Sequence, residues 1–131
     1  MAIFCGRLLR GETPVINGDG KQTRDFVFVE DVAGANRLAL EYLGGQGREN
    51  GFQALNIGLR REVSIHDLAE TLARASGRRV KFAHGPAKAG EQQRSSLESG
   101  KAKRVLGWAP AVSLEDGLGV TLAWFRERLK P

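Results

Sequence analysis

Arg24, Lys88, Glu91 and Arg94 are the side chains best suited to chemistry on an anion. Arg24 stands between the polar turn Asn17-Gly18-Asp19-Gly20 and the apolar run Phe26-Val27-Phe28-Val29. A rigid strand end there would aim a guanidinium into a cleft. A pyrophosphate wants two or more fixed cations, and each hydrogen bond to a charged group contributes about 1.5–3 kcal/mol. Lys88, Glu91 and Arg94 lie in a second polar stretch over residues 85–97. Spacing leaves two uses open for each group. Arg24 could equally pair with Asp25 or Glu30, and the loop charges could simply be solvated.

Catalytic chemistry finds fewer candidates. Tyr42 is the only tyrosine and Gln46 stands four residues later, so there is no Tyr-x-x-x-Lys acid-base pair. Ser64, His66 and Asp67 suggest a triad, but neighbours on one helical turn cannot point at a common reacting atom. His66 and His84 read as surface or half-buried imidazoles. Gly44, Gly45 and Gly47 imitate half a dinucleotide fingerprint. They follow a helix, whereas the fingerprint must follow a strand and open a helix so that amide dipoles face the phosphates. Cys5 is the single cysteine, which rules out an intrachain disulfide, and no cluster has zinc-ligand spacing.

Composition narrows the partners. The 131 residues, 41% hydrophobic and 27% charged, suit one domain with an ordinary core. The net charge of +5 invites a nucleic-acid reading. Its distribution argues against one: basic residues come in ones and twos among acids, and aromatics for base stacking are few. No apolar run approaches the roughly 18 residues of a membrane span, and the N-terminal Ile3-Phe4 pair makes no signal peptide. Cytoplasmic localisation is the expectation.

The elements that must position these residues can be read from pattern. Residues 1–11 look like the end of a helix stopped by Gly11. Two extended segments, 13–17 and 22–29, flank the Asn17-Gly18 turn, a strong short-range turn signal. A helix over 31–43 has Val32, Ala35, Ala39 and Tyr42 on one face, and residues 44–51 form a loop. Residues 53–57 read as a strand ended by Gly58. Ser64 with Asp67 caps a second amphipathic helix that Gly77 terminates. Residues 79–83 alternate as a half-exposed strand. A short helix over 99–106 stops at Gly107-Trp108-Ala109-Pro110. Ser113 with Asp116 opens the last helix, striped by Leu114, Leu118, Leu122, Phe125 and Leu129. The alternation is that of a mixed α/β chain.

Three segments carry a family resemblance, in order. They are Gly18-Asp19-Gly20-x-Gln22-x-Arg24-Asp25-Phe26-x-x-Val29-x-Asp31; Asn56-Ile57-Gly58 with Val63-Ser64-Ile65; and Lys88-Ala89-Gly90-Glu91 through Arg94-Ser95, Lys101-Ala102, Leu106-Gly107-Trp108-x-Pro110 and Ser113-Leu114-Glu115-Asp116-Gly117-Leu118. Together they resemble the NAD-dependent epimerases and dehydratases of the extended short-chain dehydrogenase/reductase family, most of all the UDP-glucose 4-epimerases. The first and third segments are quite specific; the second alone is weak.

The resemblance implies a fold and a site. The fold would be an α/β (α+β-like) fragment with a small mixed sheet and about four to five helices, lacking most of the Rossmann sheet. Residues 1–131 would form one C-terminal nucleotide-sugar-binding domain, with the NAD-binding Rossmann half, its dinucleotide loop and its catalytic tyrosine and lysine outside this chain. By resemblance, Val15 and Asn17 would line the uracil largely through backbone, and Arg24 would hold the pyrophosphate. Phe26 and Ile65 would make apolar contacts, and Glu91 would meet the ribose. Lys88 stands where the family usually has arginine. It keeps the charge but loses the bidentate fork. Glu98 replaces the usual aspartate and is expected to cap the short helix.

The complete family enzyme would oxidise the sugar C4 hydroxyl through NAD and return the hydride to the other face. This chain alone is expected to bind a UDP-sugar, to hold no NAD or metal, and to be inert. The rival expectation is an interaction module derived from the family. It would self-associate through an exposed sheet edge at residues 53–57, or meet a separate Rossmann-domain chain.

Overall fold

A computed structural model describes residues 1–45 and 51–129. The order of elements is α1 (Ala2–Arg10), β1 (Val15–Asn17), β2 (Thr23–Arg24), α2 (Val29–Gly44), β3 (Val63–Ser64), α3 (Ile65–Ala75), β4 (Ala83–Gly85), α4 (Gly100–Leu106) and α5 (Leu114–Arg128). The helix ends follow local chemistry. Ser64 accepts the Asp67 amide at 3.0 Å to start α3, and Ser113 accepts the Asp116 amide at 3.1 Å to start α5. Gly11, at φ 77°, closes α1 by donating to the Leu8 carbonyl while Glu12 donates to that of Arg7. Gly77, at φ 72°, repeats the device after α3, where the amides of Gly77 and Arg78 reach the carbonyls of Arg74 and Ala73.

The apolar faces meet in two clusters. Cys5 and Leu8 of α1, Leu68 and Leu72 of α3, and Leu118 and Leu122 of α5 form the first, with Val63 and Phe26 against them. The second gathers Ala35 of α2, Ala102 of α4 and Trp108, flanked by Leu38, Leu55 and Ile57. Trp108 is anchored there by its indole N–H, which donates to the Asp31 carbonyl at 2.9 Å. The Asp31 carboxylate in turn accepts the amides of Ala111 and Val112 at 3.0 and 3.2 Å. That exchange ties the aspartate at the head of α2 to the Trp-x-Pro segment.

The strands depart from the sequence pattern. β1 runs parallel to β4, with Asn17 opposite Gly85, and β2 runs antiparallel to β3, with Arg24 opposite Val63. The two extended segments around Asn17-Gly18 therefore do not form a hairpin with each other. Each finds a partner far along the chain, and the mixed sheet consists of two separate two-stranded ladders. Of residues 22–29 only Thr23 and Arg24 are laddered, and α2 starts at Val29 rather than at 31. The half-exposed strand expected over 79–83 lies instead at Ala83–Gly85. Residues 53–57 pair with no strand among the described residues, because a strand needs a neighbour and α4 and Trp108 offer only side chains. The inward face of α2 is Asp31, Ala35 and Leu38, while Val32 is exposed. Most of the expected loop 44–51 lies outside the described residues.

Where ladders are short, a carboxylate joins the segments. Asp25, just past β2, accepts the backbone amides of Leu59, at 3.0 Å, Arg60, at 3.1 Å, and Leu97, at 3.0 Å. The approach leaves no room beside Gly58: an added Cβ would lie 2.6 Å from Leu97 Cβ and 2.8 Å from Asp25 Oδ2. Gly58→Ala should therefore cost about 1–3 kcal/mol of stability through overpacking. Gly119→Ala, on an α5 face with nothing within 4 Å of the added carbon, should instead stabilise by about 0.5–1 kcal/mol. Urea unfolding of the two variants checks both signs.

Candidate functional site

The end of β1, β2, the start of α3 and the loop at residues 88–94 converge at one place. Asn17 ends β1 opposite Gly85, and the next amide, of Gly18, donates to the Gly85 carbonyl at 3.0 Å. His84 Nδ1 lies 2.8 Å from the Gly18 carbonyl, which requires the proton on that nitrogen. Gly20, at φ 76°, brings its backbone against Ile16 and His66, where an added Cβ would sit 2.9 Å from Ile16 Cγ2. The α3 start is bonded to this turn, because the amides of Ile65 and His66 donate to the carbonyls of Gln22, at 3.0 Å, and Gly20, at 3.1 Å.

Arg24 is aimed by this framework. Its Nη1 donates to the carbonyls of Thr23 and Gln92, both at 2.7 Å, and its Nη2 lies 3.4 Å from Glu91 Oε1. Neither Asp25 nor Glu30 is its partner: the Asp25 carboxylate is turned to loop amides, and the acid that meets Arg24 comes from 67 residues away. The pair is only part-buried, with side chains 29% and 25% exposed. The other Glu91 oxygen lies 3.5 Å from Gln22 Nε2, whose amide also donates to the Asn17 carbonyl at 3.1 Å. Both Glu91 oxygens are thus held by long contacts and keep capacity for hydroxyl donors.

The far end of the loop is clamped separately. Thr23 N–H donates to the Gln93 carbonyl at 2.8 Å. Arg94 donates to both oxygens of Glu62, at 3.0 and 2.8 Å, and Thr23 Oγ1 donates to Glu62 at 2.7 Å. The Arg94 guanidinium and, after it, the Thr23 hydroxyl hold the Glu62 carboxyl below its ordinary value. Asp19 is lowered too, first by the Lys21 amide at 3.0 Å.

Asn17, Arg24 and Glu91 therefore stand together, with Ile65 bonded to the same turn and Val15 two residues before Asn17 on β1. Lys88 begins the loop turn, its carbonyl accepting the Glu91 amide at 3.2 Å, and its ammonium forms no ion pair among the described residues. Phe26 packs on the first core cluster and lines a cavity of about 200 Å³ with Phe28, Val112 and Leu114. Glu98 caps as expected, accepting the Gly100 amide at 2.7 Å. Sequence reasoning gave no role to Gln22 or Glu62. Its place in the pattern Gly20-x-Gln22-x-Arg24 was the only signal for the first, and nothing local marks the second.

Two other clusters do less. Asp67 is committed to the Ser64 cap, and the His66 ring meets Phe82 edge-on and lies 4.0 Å from Glu70 on α3. Gly44 and Gly45 end α2, at the negative end of the helix dipole. They do not fit a dinucleotide pyrophosphate; Gln46 and Gly47 lie outside the described residues.

The Glu62 clamp makes a pH-dependent signal. A carboxyl lowered on folding contributes stability that is complete above its unfolded value and is lost as pH falls through the lower folded value. The Arg94 Nε–H resonance should therefore hold steady at neutral pH and move only below the ordinary glutamate range. With Glu62→Gln the movement should vanish, although Asp19 still titrates in that window.

Comparison with known proteins identifies the family. A family model described as GDP-mannose 4,6 dehydratase matches residues 3–121. A UDP-glucose 4-epimerase of Mycolicibacterium smegmatis is 38% identical over 128 residues, covering 98% of this chain and 39% of that protein. A putative UDP-glucose 4-epimerase of Methanocaldococcus jannaschii is 34% identical over 126 residues, covering 96% and 38%. The crystal structure of UDP-glucose 4-epimerase with UDP-glucose from Thermotoga maritima superposes with a TM-score of 0.86 at 38% identity, over 98% of this chain and 40% of that one. The chain thus spans about two-fifths of the length of the relatives it matches. With both ladders, all five helices and the motif residues accounted for, the chain belongs to the GDP-mannose 4,6-dehydratase family and corresponds to the C-terminal portion of an NAD-dependent epimerase/dehydratase of the extended short-chain dehydrogenase/reductase type, similar to the UDP-glucose 4-epimerases.

Proposed function

We propose that residues 1–131 form a single domain that binds the nucleotide of a UDP-sugar for a 4-epimerase-like reaction. One observation carries the reading. Arg24 is held rigid by two carbonyls at 2.7 Å from Nη1, while Nη2 makes only a long contact with Glu91. A pre-aimed cation beside a carboxylate with open lone pairs suits a diphosphate next to a ribose. Backbone at Val15 and Asn17 would meet the uracil, with Phe26 and Ile65 supplying apolar contact. Lys88, without an ion pair among the described residues, would add the second positive charge, as a point charge rather than a fork. The Thermotoga relative was solved with UDP-glucose, which supports the choice of ligand. NAD would belong to a Rossmann portion and not to these residues, so the chain alone would turn nothing over. The reading takes the cytoplasm as the compartment, with neither nucleic acid nor membrane as a partner.

Calorimetric titration with UDP at moderate salt tests this. One-to-one binding is expected, and Arg24→Ala should weaken it about ten-fold or more while the fold persists. No heat at millimolar UDP would overturn the reading.

A second reading has its own observation. Val29 and Leu40 on the outer side of α2 are each 71% exposed, and Phe52 is 93% exposed beside the unladdered segment 53–57. An apolar helix face beside an exposed aromatic ring suits association with a second copy of the chain. Light scattering should then report a dimer or larger species, and Leu40→Glu should shift it to monomer. A monomer at every concentration in the unaltered chain would exclude self-association and leave a Rossmann-domain chain as the partner to test.

A further inference from the structure

We propose that Gln22 is the positioning residue of this site: its buried amide ties the Asn17 carbonyl to Glu91 and so sets where the Arg24–Glu91 pair stands relative to the end of β1. The proposal rests on the reading of the site as one for a nucleoside diphosphate. Gln22 is 5% exposed, among the few polar side chains buried in the described residues. It is the one residue that meets all three converging segments. Its carbonyl accepts the Ile65 amide at 3.0 Å, and its Nε2 donates to the Asn17 carbonyl at 3.1 Å and approaches Glu91 Oε2 at 3.5 Å. Two residues on, Arg24 leaves β2 to meet the other Glu91 oxygen.

The distances divide the labour. The shorter bond goes to fixed backbone, so the amide stays in place. The longer one goes to Glu91, which can turn to a ribose hydroxyl with little loss. A neutral donor also suits the place better than a charge. An ammonium would compete with Arg24 for Glu91, whereas a carboxylate would repel Glu91 and leave the Asn17 carbonyl without its donor.

Three variants of the full chain test the assignment by backbone amide relaxation without ligand and by titration with UDP. Gln22→Met, equal in length without a donor, should raise the mobility of amides 88–93 and weaken UDP binding about ten-fold. Gln22→Glu should do more of both. Adding Glu91→Gln to Gln22→Glu restores a donor–acceptor pair and should return the loop amides at least to the Gln22→Met level. A generic packing role would not produce that rescue. Unchanged loop amides in both single variants, or no rescue, would overturn the proposal even if the unaltered chain binds UDP. Conversely, loop order that follows Gln22 in a chain that ignores UDP would remove the nucleotide reading and leave Gln22 as the fastening of the loop. Should the variants fail to fold, the unaltered chain still decides. Its Gln22 side-chain amide protons should be slow to exchange and close to Asn17, and fast, averaged signals would refute the assignment.

Discussion

The carboxylate of Asp25 holds together three pieces of backbone that no ladder joins. It accepts amides from residues 59 and 60 on one side and residue 97 on the other, immediately beyond the strand that ends in Arg24. The constraint is general in this chain. Its ladders are two or three residues long, so most crossings of distant segments are made by a side chain gripping backbone. A bond to an ionised group is stronger than a neutral one, and three amides on one carboxylate leave it little freedom to turn. Arg24 is therefore aimed by its neighbour: with Asp25 fixed on the 58–60 turn, the adjacent side chain has only the 88–94 loop to face.

The same logic separates the signature residues into two kinds. Asp25, Asp31, Gly58, Trp108 and Gly117 are spent on structure. Gly117, for example, gives way to the Phe28 ring, which would lie 2.9 Å from an added Cβ at the first turn of α5. Gly20 does likewise beneath the turn. Arg24 fastens the 88–94 loop through the Gln92 carbonyl, but its contact with Glu91 is long and neither residue supports a helix end or a core. Much of what makes this sequence recognisable is scaffolding, and the part that can meet a ligand is small.

Helices were legible in the sequence because their instructions are local. Ser64 with Asp67, Ser113 with Asp116, Gly11 and Gly77 all act within a turn, and the structure uses each as read. Strand pairing was not, since its energy resides in a partner that may be far along the chain. Asn17-Gly18 carries strong hairpin chemistry, yet β1 pairs with a strand 68 residues away, at Ala83, because burying Ile16 between β4 and α3 outweighs a local turn. The apolar run after Arg24 read as a strand, but Phe26 and Phe28 are consumed by the first cluster and by α5 instead of by a ladder. For the site, residue types and family pattern indicated Arg24 and Glu91, while their meeting over a distance of 67 residues required the fold.

An arginine already paired within its own chain raises the question of whether a ligand could displace the pair. The magnitudes favour exchange. A part-exposed ion pair at 3.4 Å is worth about 0–1 kcal/mol. A diphosphate offers more negative charge than one carboxylate, and hydroxyls beside it can take over the freed Glu91 oxygens. The two short bonds from Nη1 to carbonyls need not break, so the guanidinium keeps its orientation throughout the exchange. In the proposed binding, Glu91 would keep Arg24 ordered until an anion arrives and would accept from that anion's sugar afterwards. A hydrophobic residue at 91 would leave the guanidinium less constrained, and a shorter, fully buried pair would hold it too firmly to exchange. The loose contacts at this carboxylate are what allow one residue to serve both states.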